Sequence, residues 1–455
     1  MENINQQLVL VIGAGPAGLY SANKLAEAGK KVILLNRDIK YGGLAEYGIF
    51  VTKNKMKEGL RKQFRKILAS PNIDYYGNVT VGKDSKISLK DLEDIGFDAI
   101  VISAGAQGTK KVGIPGEEAK GVYHAKDLVY HYNHLPPFSE QLFPLGDKVA
   151  IIGVGNVMVD IAHWLTHLKQ VPNVLAIARR GPNERAYSDK EIKNIAFNMD
   201  QVDIKQELER IRPILESIGQ NVDTTFTDLV KEANEPYYDK PSPTKFTFKF
   251  LCSPKRVVAN ENNEVIGLEV ENNELYLKED GSVALKGLGT TQIINLTNVV
   301  FAIGDTVDGN LGLTVNKWGE FTKNETPYNN DPNANLYELF DTDNNTVMKG
   351  MFVIGWSRKA SDGLVGIAKK DGETGTKYVL SYLDTLTVAE KTADQRIESL
   401  KNLFKERNLT VVSKEDITLL EDVESQEAKK RALEFYKFNH NDDMLQAIEH
   451  QKVRV

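Results

Sequence analysis

Two glycine-rich turns have the residue types and spacing that bind nucleotide phosphates. The first follows the apolar run 8–12 and the second follows the apolar run 149–152; they read Gly13-Ala14-Gly15-Pro16-Ala17-Gly18 and Gly153-Val154-Gly155-Asn156-Val157-Met158. In such a turn the first glycine makes the bend and the second lets the backbone approach a pyrophosphate. The helix that follows supplies N–H groups and the positive end of its dipole. One turn indicates one nucleotide, whereas two turns predict a flavin and a nicotinamide bound by one reductase.

Arginine residues follow the second turn at the place that selects between coenzymes. Where an NAD site has an acidic residue for the ribose hydroxyls, this chain has Arg179 and Arg180 at the end of the segment 174–178. A guanidinium group binds a phosphate through two parallel hydrogen bonds, so the pair predicts NADP(H), with its 2′-phosphate, over NADH. In the first unit the corresponding residue is Asn36, whose amide can still hydrogen-bond a ribose hydroxyl of FAD.

The segments around both turns alternate between strand and helix patterns. A strand–helix–strand order is predicted over 8–12, 16–28 and 31–35, and again over 149–152, 156–169 and 174–178. Each is a βαβ unit of the usual size, which places its glycine turn between the first strand and the helix.

The middle of the chain has a different pattern. Residues 203–218 are charged and helical, with an interruption expected near Pro213, and residues 221–244 are polar and expected to form a surface excursion. Residues 245–296 alternate in the manner of antiparallel strands, with Asn-rich turns at 260–263 and 272–273. The last 65 residues or so are charged and helical.

Composition narrows the class of protein. The chain has 455 residues, a net charge of −6 and a single cysteine, Cys252. One cysteine excludes an intrachain disulfide, a Cys-x-x-Cys redox pair and a cysteine-ligated iron–sulfur cluster, and its apolar neighbours indicate a core residue. The charge gives no support for nucleic acid binding. Without a signal-like N-terminus or an apolar stretch of about 18 residues, a cytoplasmic protein is expected.

A metal site is not predicted. His163 and His167 are four residues apart in a helical segment, a spacing that metal ligands can have, but Trp164 follows the first and no third ligand is evident.

Several longer motifs resemble one known family. The chain is similar to the adrenodoxin reductase-type ferredoxin–NADP reductases, which are related to the small subunit of glutamate synthase. The resemblance covers almost the whole chain and lies in VIGAGPAGLYSA at 11–22, YGGLAEYGI at 41–49, GNVTVG at 77–82, VISAGAQGTKKVGIPGE at 101–117, VAIIGVGNVMVDIAHWL at 149–165, ARRGPNERAYSDKEI at 178–192 and FVIGWSRKASDGLVG at 352–366.

This resemblance implies an α/β fold with two Rossmann-like domains, the second inserted in the first. The FAD-binding domain would comprise 1–106 and 330–455, and the NADP-binding domain 107–329. Besides the first turn, the residues implied for FAD are Asn36, Gly43, Leu44, Val81, Gly355, Trp356, Gly363, Leu364 and Val365. Those implied for NADP(H) are Val154, Gly155, Asn156, Val157, Arg179, Arg180, Glu191 and Gly363. The implied partner is a ferredoxin-like iron–sulfur protein.

Three departures from the family pattern affect positions near the flavin. Lys53 stands where relatives have a histidine, and Asn36 stands where they have the ribose-binding acid. Residues 360–363 are Ala-Ser-Asp-Gly where relatives have the turn Gly-Pro-Thr-Gly. A cation at the N1–C2=O edge of a flavin stabilises its anionic reduced form, which makes Lys53 and Arg358 candidates for tuning the potential. The basic segment 55–66 is expected to be a solvated face, or alternatively to dock an acidic iron–sulfur protein.

Three functions stay open at this point. The first is a reductase that serves a ferredoxin-like partner. The second is a flavoprotein that reduces a small molecule or supplies electrons to a larger enzyme. The third is a nucleotide-binding regulatory protein without turnover.

Overall fold

The computed structural model describes residues 6–234, 242–326, 331, 333–360, 365–387 and 389–453. The chain divides into two compact units. The first comprises Met1–Lys110, Tyr130–Glu140 and Gly304–Val455, and the second comprises Lys111–Val129 and Gln141–Ile303. Among the described residues, 107–110, 130–140 and 304–326, which the sequence predicts to lie in the second domain, belong to the first unit.

The strands, in chain order, are β1 (Leu8–Ile12), β2 (Lys31–Leu35), β3 (Ile73–Tyr76), β4 (Ala99–Ile102), β5 (Gly108–Thr109), β6 (Val122–His124), β7 (Lys148–Ile152), β8 (Asn173–Ile177), β9 (Lys245–Lys249), β10 (Cys252–Ala259), β11 (Val265–Leu277), β12 (Val283–Asn295), β13 (Asn298–Phe301), β14 (Asp305–Thr306), β15 (Glu338–Asp341) and β16 (Thr346–Val353). The α-helices are α1 (Pro16–Glu27), α2 (Leu44–Tyr47), α3 (Asn54–Leu68), α4 (Leu89–Glu93), α5 (Ala125–Tyr132), α6 (Asn156–His163), α7 (Asp189–Ile192), α8 (Gln201–Ser217), α9 (Val222–Val230), α10 (Val365–Leu383), α11 (Ala393–Glu406), α12 (Lys414–Lys430) and α13 (Asn441–Lys452).

The first unit is built on a six-stranded sheet in the order β15-β16-β4-β1-β2-β3. All neighbours are parallel except β15, which pairs antiparallel with β16. Successive residues of a strand point to opposite faces, so Val9 and Val11 pack with α1, α10 and α12 on one face and Leu8 and Leu10 pack with α11 on the other. Apolar residues on both faces explain why β1 reads as a continuous hydrophobic run.

The second unit has a parallel five-stranded sheet in the order β6-β13-β7-β8-β9, and a separate antiparallel sheet of β10, β11 and β12. In both units a glycine turn connects the first strand of the βαβ unit with its helix, β1 with α1 and β7 with α6. The α/β fold class with two parallel-sheet Rossmann-like units is therefore confirmed.

The structure corrects three local predictions. Helix α8 runs through Pro213 without interruption, because buried Leu208, Ile211 and Leu215 hold both sides of the proline against the core. Part of the supposed surface excursion is helix α9, and residues 235–241 lie outside the described residues. Residues 272–273 lie within β11 rather than in a turn.

The buried side chain of Asn273 explains that last difference. Its amide donates hydrogen bonds to the carbonyl of Arg179 and to the hydroxyl of Ser253, both at 2.9 Å, which satisfies its donors inside the sheet. Cys252 is buried as predicted, and burial raises the pKa of its thiol to about 11. Within the described parts of the chain, no helix is long and apolar enough to cross a membrane, and no group of three or more potential ligands could hold a metal ion.

Helix α3 is only partly the solvated face that its basic sequence predicts. Lys57 is buried and donates to Asn133 Oδ1 at 2.5 Å, while Arg61 forms two hydrogen bonds with Glu46 at 2.6 and 2.7 Å. Lys437 reaches the same place and pairs with Glu46 at 2.7 Å. Burial, and then the charge of Lys437, lowers the pKa of Lys57 to about 7.

Stability of the first unit should therefore increase with pH through Lys57. An unfolded lysine has a pKa of about 10.4, so between pH 7 and 9 the unfolded chain keeps a proton that the folded chain has lost, and unfolding becomes harder by up to about 1.4 kcal/mol per pH unit. We expect Lys57→Met to remove this increment, as measured by urea unfolding at pH 7 and pH 9. Lys62→Met, at an exposed position of the same helix, is the control. Equal pH dependence in both variants would contradict this assignment.

Candidate functional site

The first glycine turn has a shape that only glycine permits. Gly13 has φ +108°, and a Cβ there would lie 2.4 Å from the carbonyl oxygen of Ser103. A Cβ at Gly18 would lie 2.0 Å from the carbonyl oxygen of Gly13. These two glycines are thus required by packing, as the close approach of β1, β4 and α1 leaves no room for side chains.

Gly15 differs from its neighbours because it faces open space. A Cβ there would meet no protein atom within 4 Å, and Gly15 has an ordinary extended conformation, with φ −76° and ψ −178°. It precedes α1, whose first turn has neither an acidic residue nor a side-chain cap in the described structure. Free N–H groups, a positive dipole end and an accessible backbone fit the pyrophosphate of a dinucleotide.

Other predicted FAD residues lie around the same helix end. A Cβ on Gly43, which has φ +50°, would lie 3.0 Å from Cα of Gly15, and one on Gly355, with φ +62°, would lie 2.6 Å from Cβ of Ala17. Leu44 and Trp356 follow these two glycines and are both half-buried. The structure therefore brings Gly43 and Gly355 together with the first turn.

The side chain of Asn36 mainly hydrogen-bonds the protein backbone. Its amide donates to the carbonyls of Asp38 and Lys40, both at 2.9 Å, and its Oδ1 accepts from the N–H of Ala14 at 3.0 Å. Both donors are occupied, so only the second lone pair of Oδ1 is left to accept a hydrogen bond from a ribose hydroxyl. The sequence did not show that Asn36 also fixes the glycine turn.

Arg358, a candidate for tuning the flavin, forms an ion pair with the half-buried carboxylate of Asp371. Its Nε lies 3.1 Å from Oδ1 of Asp371, a second guanidinium nitrogen also pairs with Asp371, and the guanidinium stacks 4.3 Å from the ring centre of Tyr337. Asp371 also accepts from the N–H of Gly355 at 2.6 Å and from the hydroxyl of Tyr337 at 3.1 Å. The main use of Arg358 is therefore to anchor the turn that presents Trp356, and its charge is offset locally.

The remaining predicted FAD residues are less informative. Val81 is half-buried and Val365 begins α10. Lys53 is half-buried at the N-terminus of α3. Gly363 and Leu364, together with Ser361 and Asp362, lie outside the described residues.

The second turn repeats the geometry of the first in the other unit. Gly153 has φ +125°, and a Cβ there would lie 2.4 Å from the carbonyl oxygen of Ala302. A Cβ at Gly155 would meet no atom within 4 Å, and α6 begins after it without an acidic residue in its first turn. Met158, at the position of the missing small residue, is buried in the core instead. The second turn thus fits a dinucleotide phosphate as the first does.

Two of the predicted NADP-binding residues follow the strand next to this turn. Arg179 and Arg180 come after the end of β8, which pairs with β7, and both are exposed. The loop after them returns to the turn, where the N–H groups of Ala186 and Tyr187 donate to the carbonyl of Val154 at 2.9 and 3.1 Å.

One further contact completes this arrangement. The N–H of Ser188 donates to Oδ1 of Asn156 at 2.9 Å, which ties the start of α7 to the turn. Helix α7 carries half-buried Glu191, while Val157 is 47% exposed on α6. His163 and His167 face each other with ring centres 4.6 Å apart, without a third ligand among the described residues.

Comparison with known proteins agrees with this geometry. Residues 7–210 match the family described as pyridine nucleotide-disulphide oxidoreductase. The chain is 25% identical over 434 residues to NADPH-ferredoxin reductase FprA of Mycobacterium leprae, covering 89% of this chain and 90% of that protein. It is 27% identical over 339 residues to the mitochondrial NADPH:adrenodoxin oxidoreductase of Arabidopsis thaliana, covering 65% and 67%. Because some relatives are mitochondrial, the cytoplasmic location stays a prediction.

Gly15 and Gly59 provide a matched test of the first site. Since an added methyl group at Gly15 meets no protein atom, Gly15→Ala should melt like the unmodified chain when both are free of flavin. It should nevertheless lose most of its flavin on dialysis, because the methyl occupies the approach to the pyrophosphate. Gly59→Ala, in the exposed interior of α3 where a Cβ is equally free, should keep its flavin. Flavin absorbance after dialysis is the measurement, and full retention in Gly15→Ala would contradict the site.

A solved structure extends the comparison to the fold. The structure of FprA of Mycobacterium tuberculosis in complex with NADPH superposes with a TM-score of 0.78 at 22% identity, covering 97% of this chain and 99% of that one. The resemblance inferred from the motifs is therefore confirmed: the chain is similar to the NADPH-ferredoxin and adrenodoxin reductases, and its residues 7–210 match the pyridine nucleotide-disulphide oxidoreductase family.

Proposed function

We propose that this chain is an FAD-containing, NADPH-dependent oxidoreductase that moves electrons between NADP(H) and an iron–sulfur protein such as a ferredoxin. The observation that carries the proposal is the presence of two open glycine turns, one in each unit, of which only the second is followed by an exposed arginine pair. FAD is assigned to the first unit and NADP(H) to the second.

The first unit would bind FAD mainly through its backbone. The N-terminus of α1 and the accessible backbone at Gly15 would contact the pyrophosphate, and Gly43, Leu44 and Val81 would surround the rest of the nucleotide. Trp356, held by the turn that Asp371 anchors, would lie beside the flavin ring. Bound FAD supplies an acceptor for a hydride from NADPH and a donor of single electrons to an iron–sulfur protein.

The second unit would select NADPH by charge. The N-terminus of α6 binds the pyrophosphate, and Arg179 and Arg180 bind the 2′-phosphate through paired N–H donors. Glu191, on α7, lies toward the nicotinamide end. The protein therefore contributes orientation, selectivity and exclusion of water, and the transfer itself requires no acid or base from the chain.

The iron–sulfur partner is supported by the named activities of relatives and by the composition. Relatives are NADPH-ferredoxin and adrenodoxin reductases. With Cys252 as its single cysteine, the chain has no dithiol that could take electrons from the flavin. The exposed cations of α3, Lys55, Lys62 and Lys66, offer a surface to an acidic partner.

Coenzyme selectivity provides the first test. In an anaerobic titration that follows the flavin band, NADPH should bleach the protein at a far lower concentration than NADH. Loss of one charge-assisted contact is worth about 1.5–3 kcal/mol, so Arg180→Gln should weaken NADPH about 10- to 100-fold with little change for NADH. Equal response to both coenzymes would remove the NADPH assignment, and a flavin that neither coenzyme bleaches would favour a regulatory protein without turnover.

The acceptor needs a separate test. Reduction of cytochrome c by NADPH should accelerate when a ferredoxin is added, because the ferredoxin carries single electrons from the flavin. The rate should fall steeply with salt if α3 docks the partner, and Lys62→Glu should slow the reaction without changing bleaching by NADPH. Acceleration by a small oxidant but not by ferredoxin would point to the small-molecule reductase.

A further inference from the structure

The loop 181–188 lies directly against the second glycine turn. It begins after Arg180 and ends before α7, so it connects the arginine pair with the helix that carries Glu191, and both are assigned to NADP(H). Its backbone is attached to the turn by the hydrogen bonds of Ala186 and Tyr187 to Val154, and by that of Ser188 to Asn156. A side chain in the middle of this loop is therefore close to the place where a pyrophosphate would lie.

Arg185 is the one cationic residue in this loop. It immediately precedes Ala186, which is bridged to Gly155, the glycine with the open approach. The two arginines assigned to the 2′-phosphate instead follow the end of β8. The backbone of Arg185 therefore lies next to the glycine turn and not at the end of β8.

The present contacts of Arg185 are weak. A guanidinium nitrogen lies 3.5 Å from the carbonyl oxygen of Pro182, another lies 3.7 Å from the exposed carboxylate of Asp189, and the guanidinium centre is 5.7 Å from the ring centre of Tyr187. By contrast, Arg210 in the same unit forms two hydrogen bonds with Glu207 at 2.6 and 2.8 Å. The side chain of Arg185 is 21% exposed and, among the described residues, it has no short carboxylate partner.

We propose that Arg185 binds the pyrophosphate of NADP(H), as an addition to the backbone N–H groups of the turn. Its guanidinium fits two phosphate oxygens, and the aromatic face of Tyr187 supports it from below. This assignment rests on the proposed function, since it assumes that the second turn binds the coenzyme. It separates two roles for the arginines, with Arg185 at the pyrophosphate and Arg179 and Arg180 at the 2′-phosphate.

Three probes of different phosphate content test this division. NADP⁺ has both phosphate groups, NAD⁺ has only the pyrophosphate, and 2′-AMP has only the 2′-phosphate. Binding to the flavin-loaded protein is measured by calorimetry, with 2′-AMP and NAD⁺ in competition with NADP⁺ where they bind weakly. Arg185→Gln should weaken NADP⁺ and NAD⁺ about 10- to 100-fold and leave 2′-AMP unchanged. Arg180→Gln should weaken NADP⁺ and 2′-AMP and leave NAD⁺ unchanged.

Two control variants guard against a trivial loss of structure. Arg212→Gln removes a surface arginine of α8 that pairs with Glu209 and Glu216, and it should bind all three probes normally. Arg185→Lys keeps the charge without the two-pronged geometry and should fall between the unmodified protein and Arg185→Gln. Melting temperatures of all variants are compared in parallel.

Each outcome has a distinct meaning. If the unmodified protein binds NADP⁺ and Arg185→Gln binds it equally well, this inference alone is wrong. A loss confined to NADP⁺ and 2′-AMP would assign Arg185 to the 2′-phosphate and overturn the pyrophosphate role. Absence of NADP⁺ binding to the unmodified protein would overturn the proposed function, and with it the role of Arg185.

Discussion

The close approach of backbone to backbone at the two glycine turns is the constraint on which the structure depends. At Gly13 and Gly18 the carbonyls of Ser103 and Gly13 occupy the space of any side chain, and at Gly153 the carbonyl of Ala302 does the same. This contact brings each helix N-terminus to the carboxyl end of its sheet. Because Gly15 and Gly155 are unobstructed, the same packing leaves an anion-binding surface exposed, so one steric requirement determines both the fold and the sites.

Sequence patterns predicted the parts of the fold that depend on local rules. Apolar runs and glycine turns predict both βαβ units correctly, because strand and helix patterns follow from residue type and spacing. The coenzyme residues, including the arginine pair, stay predictions. The predicted helix interruption at Pro213 and the predicted turn at Asn273 are wrong because contacts with residues distant in sequence decide the conformation at both positions. Asp371 accepts a hydrogen bond from Gly355, and Ala186 donates one to Val154. Both contacts join residues far apart in sequence, so no local sequence pattern predicts them.

Charge is used differently in the two units. In the first, cations near the nucleotide turn are internally compensated, as Arg61 and Lys437 are by Glu46 and Arg358 is by Asp371. These pairs fix helices and turns, and at the glycine turn itself the positive charge that stays exposed is the dipole of α1. In the second, Arg179 and Arg180 are exposed and Arg185 is weakly held. Close to the glycine turns, positive side chains are thus structural in the first unit and available for a ligand in the second, which matches nucleotides that differ in phosphate content.

The order of segments along the chain also determines the order in which the units can form during synthesis. Strand β4 pairs with β16, which is made only after every residue of the second unit has left the ribosome. The second unit can therefore complete its sheet first, and during that time the edge of β4 that later pairs with β16 is unpaired. Such long-range pairing slows folding and exposes a strand edge to aggregation. The insertion of the second unit between β4 and β16 therefore lengthens the time for which the edge of β4 is unpaired, a delay that neither unit would create by itself.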